Sequence, residues 1–381
     1  MNDKKNGPVI LSAGGTGGHI FPAEALAEGL LQRGYEVALV TDKRFKQDYA
    51  QAGSLLSQLP VLQIPAGRLA GGLTGKLKGG LNIVRGLMAA RRLLKKQKPQ
   101  VVVGFGGYPS FPALFAATTL GIPTIIHEQN AILGRANRKL SPRVNRIALS
   151  YEPTQLLPEG HPPVVHTGNP VRGAIRALRK LPYAVPGENG SLHVLVVGGS
   201  QGASVFSDVV PAAIALLPEE VRNRLRIDQQ CRAADIAKVR AAYDAMDMRA
   251  DLAPFFSDMA TRMASAHLVI TRAGASTVAE LKTAGRPAIL VPLPTAMDRH
   301  QDANAQNIED ADAGWVMAQD GFTPEALAAR LESFVALPES LKTAAENMHK
   351  LGEQDAVTAL VELVESMMQS PAESTQEREA A

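Results

Sequence analysis

Short, unbroken apolar runs recur along this chain. Each ends near a glycine or a cluster of polar residues, and most are followed by a longer segment with helical periodicity. Apolar runs without polar alternation predict strands buried on both faces, as in a parallel sheet. In the first half these strands fall at Val9–Ser12, 36–41, Val101–Gly104, 124–127, Arg146–Leu149 and 164–167, with a less regular stretch at 59–64. Between them, 22–33, 80–97 and 109–120 predict helices, and Gly34 and Gly121 stop two of these. GNPVR at 168–172 closes this half, and 180–191, rich in Pro, Gly and Asn, predicts a linker or long loop. A second alternation then begins. Its strands are predicted at 193–197, 226–230, 249–252, Leu268–Thr271 and 288–291. Its helices are predicted at 204–217, 233–245, 278–284, 324–337 and from 338 onward, with a polar segment at 298–307. Strand–helix alternation of this kind implies an α/β protein with doubly wound parallel sheets. The chain therefore predicts two Rossmann-like domains, 1–172 and 173–354, whose ligands would bind outside the carboxyl ends of the strands.

The glycines fall on that edge. GGTGGH at 14–19 follows the first strand, GFGGY at 104–108 the third regular strand, and GGSQG at 198–202 the first strand of the second half. A strand, a glycine loop and a helix in succession place backbone N–H groups and a helix N-terminus against an anion. The spacing GGTGG fits the dinucleotide pattern poorly, although Asp42 ends the second strand, and the absence of Gly-Lys-Ser/Thr excludes a P-loop. His19 adds a group that exchanges a proton near neutral pH, or else simply hydrogen-bonds backbone at the helix start. His127, Glu128, Gln129 and Asn130 are consecutive polar residues directly after an apolar strand, a pattern that favours a binding site.

Arg172 can hold a phosphate bidentately or serve as an ordinary ion-pair partner. Ser200 and the N–H groups around it suit a pyrophosphate. Glu280 reads either as a capping-box glutamate, three residues after Thr277, or as an acceptor for ribose hydroxyls. Phe255 and Phe256 are either core or cover for a base. Asp310 and Asp312 have a metal-binding spacing, but they do not follow an apolar strand and predict a solvated acidic face. With no HExxH and no Cys/His cluster, no metal and no cofactor is expected.

Composition changes this picture in two places. A single cysteine, Cys231, excludes an internal disulfide and suits a reducing compartment. The apolar run near the N-terminus is too short for a signal peptide, and no run approaches a membrane span, so a cytoplasmic protein is expected. The net charge of +3 conceals an asymmetry, because no acidic residue lies between Asp48 and Glu128. Arg68, Lys76, Lys78, Arg85, Arg91, Arg92, Lys95, Lys96 and Lys98 all lie in that interval, interleaved with Leu73, Leu77, Leu81, Ile83, Val84 and Leu87. Apolar residues framed by cations suit an anionic membrane surface, though a solvated basic face is the plainer reading. Without stacking aromatics or a recognition module, nucleic acid is not expected as a partner.

In order and spacing the motifs are GGTGGH, GFGGYPS at 104–110, HEQN at 127–130, GNPVR, GGSQGA at 198–203, RAGASTVAE at 272–280 and DRHQ at 298–301. Together they resemble the bacterial UDP-N-acetylglucosamine transferases that convert lipid I to lipid II. That resemblance implies a GT-B glycosyltransferase, with two Rossmann-like domains, an interdomain cleft, a last helix at about 355–368 packing back on the first domain, and a disordered tail at 369–381. It implies metal-independent, inverting transfer from UDP-N-acetylglucosamine to an undecaprenyl-pyrophosphate-linked acceptor at the cytoplasmic face of the inner membrane, with other cell-wall synthesis proteins as possible partners. The donor residues it implies are Thr16, Gly17, Gly18, Asn130, Arg172, Ser200, Phe256 (against the uracil), Ser276, Thr277, Glu280 (on the ribose) and Gln301. On the acceptor side it implies Gly106, Gly107, Tyr108 and Glu128, with His19 as general base or acceptor-positioning residue. The implied membrane patch is Leu73, Lys76, Leu77, Lys78, Leu81 and Arg85. His300 departs from the pattern, standing where a second glutamine is expected. Two other readings remain open at this point: a UDP-N-acetylglucosamine 2-epimerase, and a non-catalytic, membrane-docked nucleotide-sugar binding protein.

Overall fold

The computed structural model describes residues 7–14, 17–42, 45, 55–66, 73–187, 190–199, 203–352 and 355–369. The chain divides into two compact units, Met1–Arg172 with Gln354–Ala381, and Gly173–Glu353.

The first unit runs β1 (Val9–Ser12), α1 (Gly17–Gln32), β2 (Val37–Thr41), β3 (Val61–Gln63), α2 (Leu73–Gln97), β4 (Val101–Gly104), α3 (Ser110–Thr118), β5 (Thr124–Glu128), α4 (Arg135–Leu140), β6 (Arg146–Leu149) and β7 (Val164–His166). Its sheet has the order β3-β2-β1-β4-β5-β6-β7, with every pairing parallel. All positions of β1, β4 and β5 are buried; β1 and β4 accordingly read as apolar runs, whereas β5 ends on the buried polar pair His127 and Glu128. Burying each large aliphatic side chain there contributes roughly 1.5–3 kcal/mol.

The second unit runs α5 (Gly173–Arg176), β8 (Leu192–Val197), α6 (Ser204–Leu216), α7 (Glu219–Arg222), β9 (Leu225–Gln230), α8 (Ile236–Asp244), β10 (Ala250–Ala253), α9 (Met259–Ser265), β11 (Leu268–Thr271), α10 (Ala275–Ala284), β12 (Ala288–Leu290), α11 (His300–Glu309), β13 (Gly314–Val316), α12 (Pro324–Ala336) and α13 (Glu339–Leu351). Its sheet, β10-β9-β8-β11-β12-β13, is also wholly parallel.

The last helix, α14 (Ala356–Gln369), belongs to the first unit. Asp355 caps it, its carboxylate accepting from the Val357 and Thr358 N–H groups at 3.2 and 3.3 Å. Val357, Leu360, Val361 and Val364 enter the same buried cluster as Ile20, Leu26 and Leu30 of α1. The helices approach so closely at Gly29 that a Cβ there would lie 2.7 Å from Val357 Cγ1. Arg33 pairs with Glu365 at 2.6 Å on the rim of this contact.

Several elements depart from the sequence expectation. Helix α1 starts at Gly17, five residues early, with Pro22 inside it. Pro22 forfeits only one second-turn hydrogen bond, to the carbonyl of Gly18, so it does not mark the start of the helix. Helix α2 starts at Leu73 and runs through four glycines, Gly75, Gly79, Gly80 and Gly86, each costing about 1 kcal/mol without breaking the helix. The polar segment at 298–307 is largely α11, and α9 and β13 are additional short elements. Gln369 is helical, and 370–381 lie outside the described residues.

Candidate active site

Strand order reverses between β1 and β4 in the first sheet and between β8 and β11 in the second. An open parallel sheet forms its ligand crevice at such a reversal. The strands are in register there, Ser12 beside Gly104 and Val197 beside Thr271, so the loops of each pair leave at one level. Gly14, the start of α1 and GFGGY flank the first crevice, and Gly198, Gly199 and RAGAST flank the second.

In the first unit the two loops interlock. A Cβ on Gly107 (φ +78°) would sit 2.6 Å from the Gly14 carbonyl oxygen, and one on Gly14 would sit 2.3 Å from Pro109 Cδ. A Cβ on Gly106 (φ +89°) would stand 3.0 Å from His19 Cε1. These glycines therefore serve close packing and left-handed backbone as well as access for a ligand. The buried Ser110 hydroxyl lies 2.6 Å from both the Ser12 and the Gly106 carbonyl oxygens, tying β1 to the second loop. Tyr108 is half-buried beside it. His19, third residue of α1, is half-buried and lies with Nδ1 3.1 Å from Gln129 Oε1.

The consecutive polar residues divide into interior and crevice. His127 is fully buried at the end of β5, with Nε2 3.0 Å from the Gly168 carbonyl oxygen. Burial drops its pKa from 6.5 to about 4, against an upward push from the Gly168 bond. Gln129, also buried, reaches both His127 and His19. Glu128, expected on the acceptor side, is turned inward. Its Oε1 accepts from the Asn130 N–H and Nδ2, and its Oε2 from the Gly134 N–H and Asn137 Nδ2, at 2.7–3.1 Å. The carboxylate thus organises the 128–137 loop and fixes Asn130, which remains half-buried. Arg172 stacks its guanidinium on the Phe21 ring of α1, 4.3 Å from the centroid.

In the second unit Gly199 takes φ +76° after β8, and α6 and α10 start without an N-cap side-chain hydrogen bond. First-turn N–H groups of this kind suit a diphosphate. Ser276, Thr277 and Glu280 lie along the first two turns of α10, all half-buried. The capping-box reading of Glu280 fails, because the N-cap is Gly274 and the third helical residue is Thr277. Helix α11 is tied to α10 by Lys282 Nζ to Asn307 Oδ1 (2.8 Å) and to the loop before it by Asn304 Nδ2 to the Ala273 carbonyl (3.1 Å). Gln301 on α11 accepts from the Leu293 N–H at 3.0 Å, which turns its amide nitrogen the other way. Just before it Asp298 and Arg299 both hold positive φ (52° and 54°), strain of about 1–3 kcal/mol each of the kind that collects at binding sites. Asp310 caps the end of α11 and accepts from Gln306 Nε2 at 2.8 Å.

Phe256 does not present its ring to a ligand. It is 3% exposed, and the guanidinium of Arg262 lies 3.9 Å from its centroid. Asp228, Asp251 and Asp258 surround that guanidinium at 2.7–3.1 Å. The exposed ring of the pair is Phe255, at 55%.

The N-terminal domain of glycosyltransferase family 28 matches residues 9–149, and its C-terminal domain matches 193–360. This chain belongs to glycosyltransferase family 28. Within the family it is 52% identical over 358 residues to the UDP-N-acetylglucosamine--N-acetylmuramyl-(pentapeptide) pyrophosphoryl-undecaprenol N-acetylglucosamine transferase of Paramagnetospirillum magneticum, covering 93% of this chain and 95% of that one. The crystal structure of Acinetobacter baumannii MurG superposes with a TM-score of 0.74 at 31% identity, covering 94% of this chain and 99% of that one. The family-28 fold is GT-B, built of two Rossmann-like parallel-sheet domains. A putative UDP-N-acetylglucosamine 2-epimerase from Listeria monocytogenes shares that fold, with a TM-score of 0.69 over 96% of this chain and 98% of that one. At 16% identity that likeness extends to the fold alone and gives the epimerase reading no support of its own.

Among the expected family-28 site residues, Thr16 and Ser200 lie outside the described residues, as do the side chains of Leu73, Lys76, Leu77, Lys78 and Leu81. Further along α2, Arg85, Arg91, Arg92, Lys95 and Lys96 are exposed. Val84 and Met88, one turn apart, are also exposed, at 51% and 48%. Among the described residues no helix is long and apolar enough to cross a membrane. Two contributors are not singled out by the sequence, Ser110 and Arg262, and Gln129 is marked there only as one of four consecutive polar residues. The polar run marked the stretch containing Gln129, but its partner lies 110 residues away.

Proposed function

We propose that this family-28 enzyme transfers N-acetylglucosamine from UDP-N-acetylglucosamine to the 4-hydroxyl of the N-acetylmuramyl unit of lipid I, giving lipid II and UDP in peptidoglycan synthesis. The observation carrying this reading is 52% identity, over nearly the full length of both chains, to a relative whose name states that transfer. The acceptor oxygen attacks C1 of the donor sugar, and the C1–O bond to the diphosphate breaks with its electron pair on the leaving UDP. Attack from the opposite face inverts C1 and forms a β(1→4) linkage.

Two demands follow: a base for the hydroxyl proton and stabilisation of the diphosphate. His19 is the base in this reading, supported by its place at the first crevice beside Gly106. Donor contacts are assigned to Gly17, Gly18, Asn130 and Arg172 in the first unit and to Ser276, Thr277, Glu280 and Gln301 in the second. The helix N-termini of α6 and α10 face developing negative charge on the diphosphate. Tyr108 and the backbone at Gly106 and Gly107 line the acceptor side. The enzyme works at the inner face of the membrane, docked through α2, whose exposed Val84 and Met88 among arginines and lysines support this placement.

Replacing His19→Ala is expected to lower kcat by about 10²–10⁴-fold, the usual worth of a general base. UDP binding, read by calorimetry, stays near normal. Near-normal turnover on a lipid I analogue would remove His19 from the chemistry.

A further inference from the structure

We propose that Gln129 and His127 are positioning residues that fix the tautomer of His19, placing its proton on Nδ1 and its lone pair on Nε2, the nitrogen that takes the acceptor proton. The proposal rests on the reading of His19 as the base and adds the device that prepares it.

The polarity of this chain of contacts follows from two backbone carbonyls, which can only accept. His127 Nε2 lies 3.0 Å from the Gly168 oxygen, so Nε2 carries a hydrogen. The same side-chain atom of Gln129 lies 2.9 Å from the His127 carbonyl oxygen and 3.0 Å from His127 Nδ1. An atom facing a carbonyl must be the amide nitrogen, and its second hydrogen then points to Nδ1. For a neutral ring already protonated at Nε2, Nδ1 is an acceptor, so both ends of that bond agree. Gln129 Oε1 is left as the acceptor 3.1 Å from His19 Nδ1, and His19 Nδ1 must be the donor.

Several features hold this arrangement in place. His127 and Gln129 are 0% and 2% exposed, so water does not compete for their polar atoms. Burial holds the His127 pKa near 4, which keeps its Nδ1 an acceptor at neutral pH. Phe105 covers the His127 ring with centroids 5.2 Å apart. An isolated histidine side chain favours the hydrogen on Nε2, so the relay inverts the intrinsic preference. After proton transfer His19 carries hydrogens on both nitrogens. Gln129 Oε1 then accepts a stronger, charge-assisted bond from Nδ1–H, which stabilises the product of the transfer. The role parallels a residue that orients a catalytic imidazole through its second nitrogen, here with an amide in place of a carboxylate.

The test is ¹⁵N NMR of the histidine side chains in the full-length protein, with His19 assigned by its loss in His19→Asn. The expected spectrum shows His19 protonated at Nδ1 and unprotonated at Nε2; an Nε2-protonated His19 would overturn the proposal. In Gln129→Met, similar in shape but unable to hydrogen-bond, the His19 signal should move toward the Nε2-protonated form. kcat should fall by about 10–100-fold, less than loss of the base itself, with KM for UDP-N-acetylglucosamine unchanged. Unchanged kcat and tautomer in that variant would refute the relay. Should Gln129→Met fail to fold, the wild-type spectrum decides alone. A His19→Ala enzyme that still turns over would remove the base and leave the tautomer result standing, so the two failures are distinguishable.

Discussion

His127 is completely buried and titrates near 4, whereas in the unfolded chain it titrates near 6.5. The folded state therefore binds fewer protons across that interval, and stability is fully present above about 6.5 and lost as pH falls toward 4. The shift corresponds to roughly 3 kcal/mol at about 1.4 kcal/mol per unit. Urea unfolding at pH 7 and pH 4.5 is expected to show this loss, and His127→Asn is expected to flatten it. A slope unchanged by the substitution would place the acid sensitivity elsewhere. At this scale the sequence is informative about residue type and uninformative about direction. The polar run at 127–130 marks a site, yet Glu128 faces inward onto four donors while Asn130 stays half-buried beside it. Phe255 and Phe256 are the same residue type side by side, and only the stacking of Arg262 on Phe256 separates the exposed ring from the buried one. Gln129 carries no signal of its own, because its role depends on which atoms lie across from it.

Among the elements, α2 carries the most consequential prediction. Its described face exposes Val84 and Met88 between Arg85, Arg91 and Arg92, which suits partial insertion at a negatively charged surface. Vesicles containing anionic lipid are expected to recruit the protein, with recruitment falling as salt rises past 0.15 M, where screening lengths shrink below about 8 Å. Reversing Lys76, Lys78 and Arg85 to Glu should abolish recruitment while leaving UDP binding intact; unchanged recruitment would move the docking surface off α2. Strand positions are legible because parallel strands buried on both faces leave apolar runs, as at β1, β4 and β11. Helix starts were less so. Helices α1 and α10 start at Gly17 and Ala275, with no capping side chain on Gly274 to announce the second, and both extend N-terminal of where apolar periodicity begins. Helix α12, capped by Thr323 and led by Pro324, is the counterexample and starts where the sequence predicts.

For the molecule as a whole, the order of motifs maps onto topology. Four of them leave the strands at which the two sheets reverse order, and this coincidence was readable once the alternation of strands and helices implied parallel sheets. The return of α14 to the first unit was not written in local pattern, since its apolar face at Val357, Val361 and Val364 would suit any core; it became an expectation only through family resemblance. The proposed activity is acceptor-dependent sugar transfer. Its most direct test is incubation with radiolabelled UDP-N-acetylglucosamine, with and without a lipid I analogue, in buffer containing EDTA. Label is expected to move into the lipid fraction only when the analogue is present, with equal efficiency with and without EDTA. Label that stays in the aqueous fraction, is epimerised without acceptor, or moves only when Mg²⁺ is restored would contradict it.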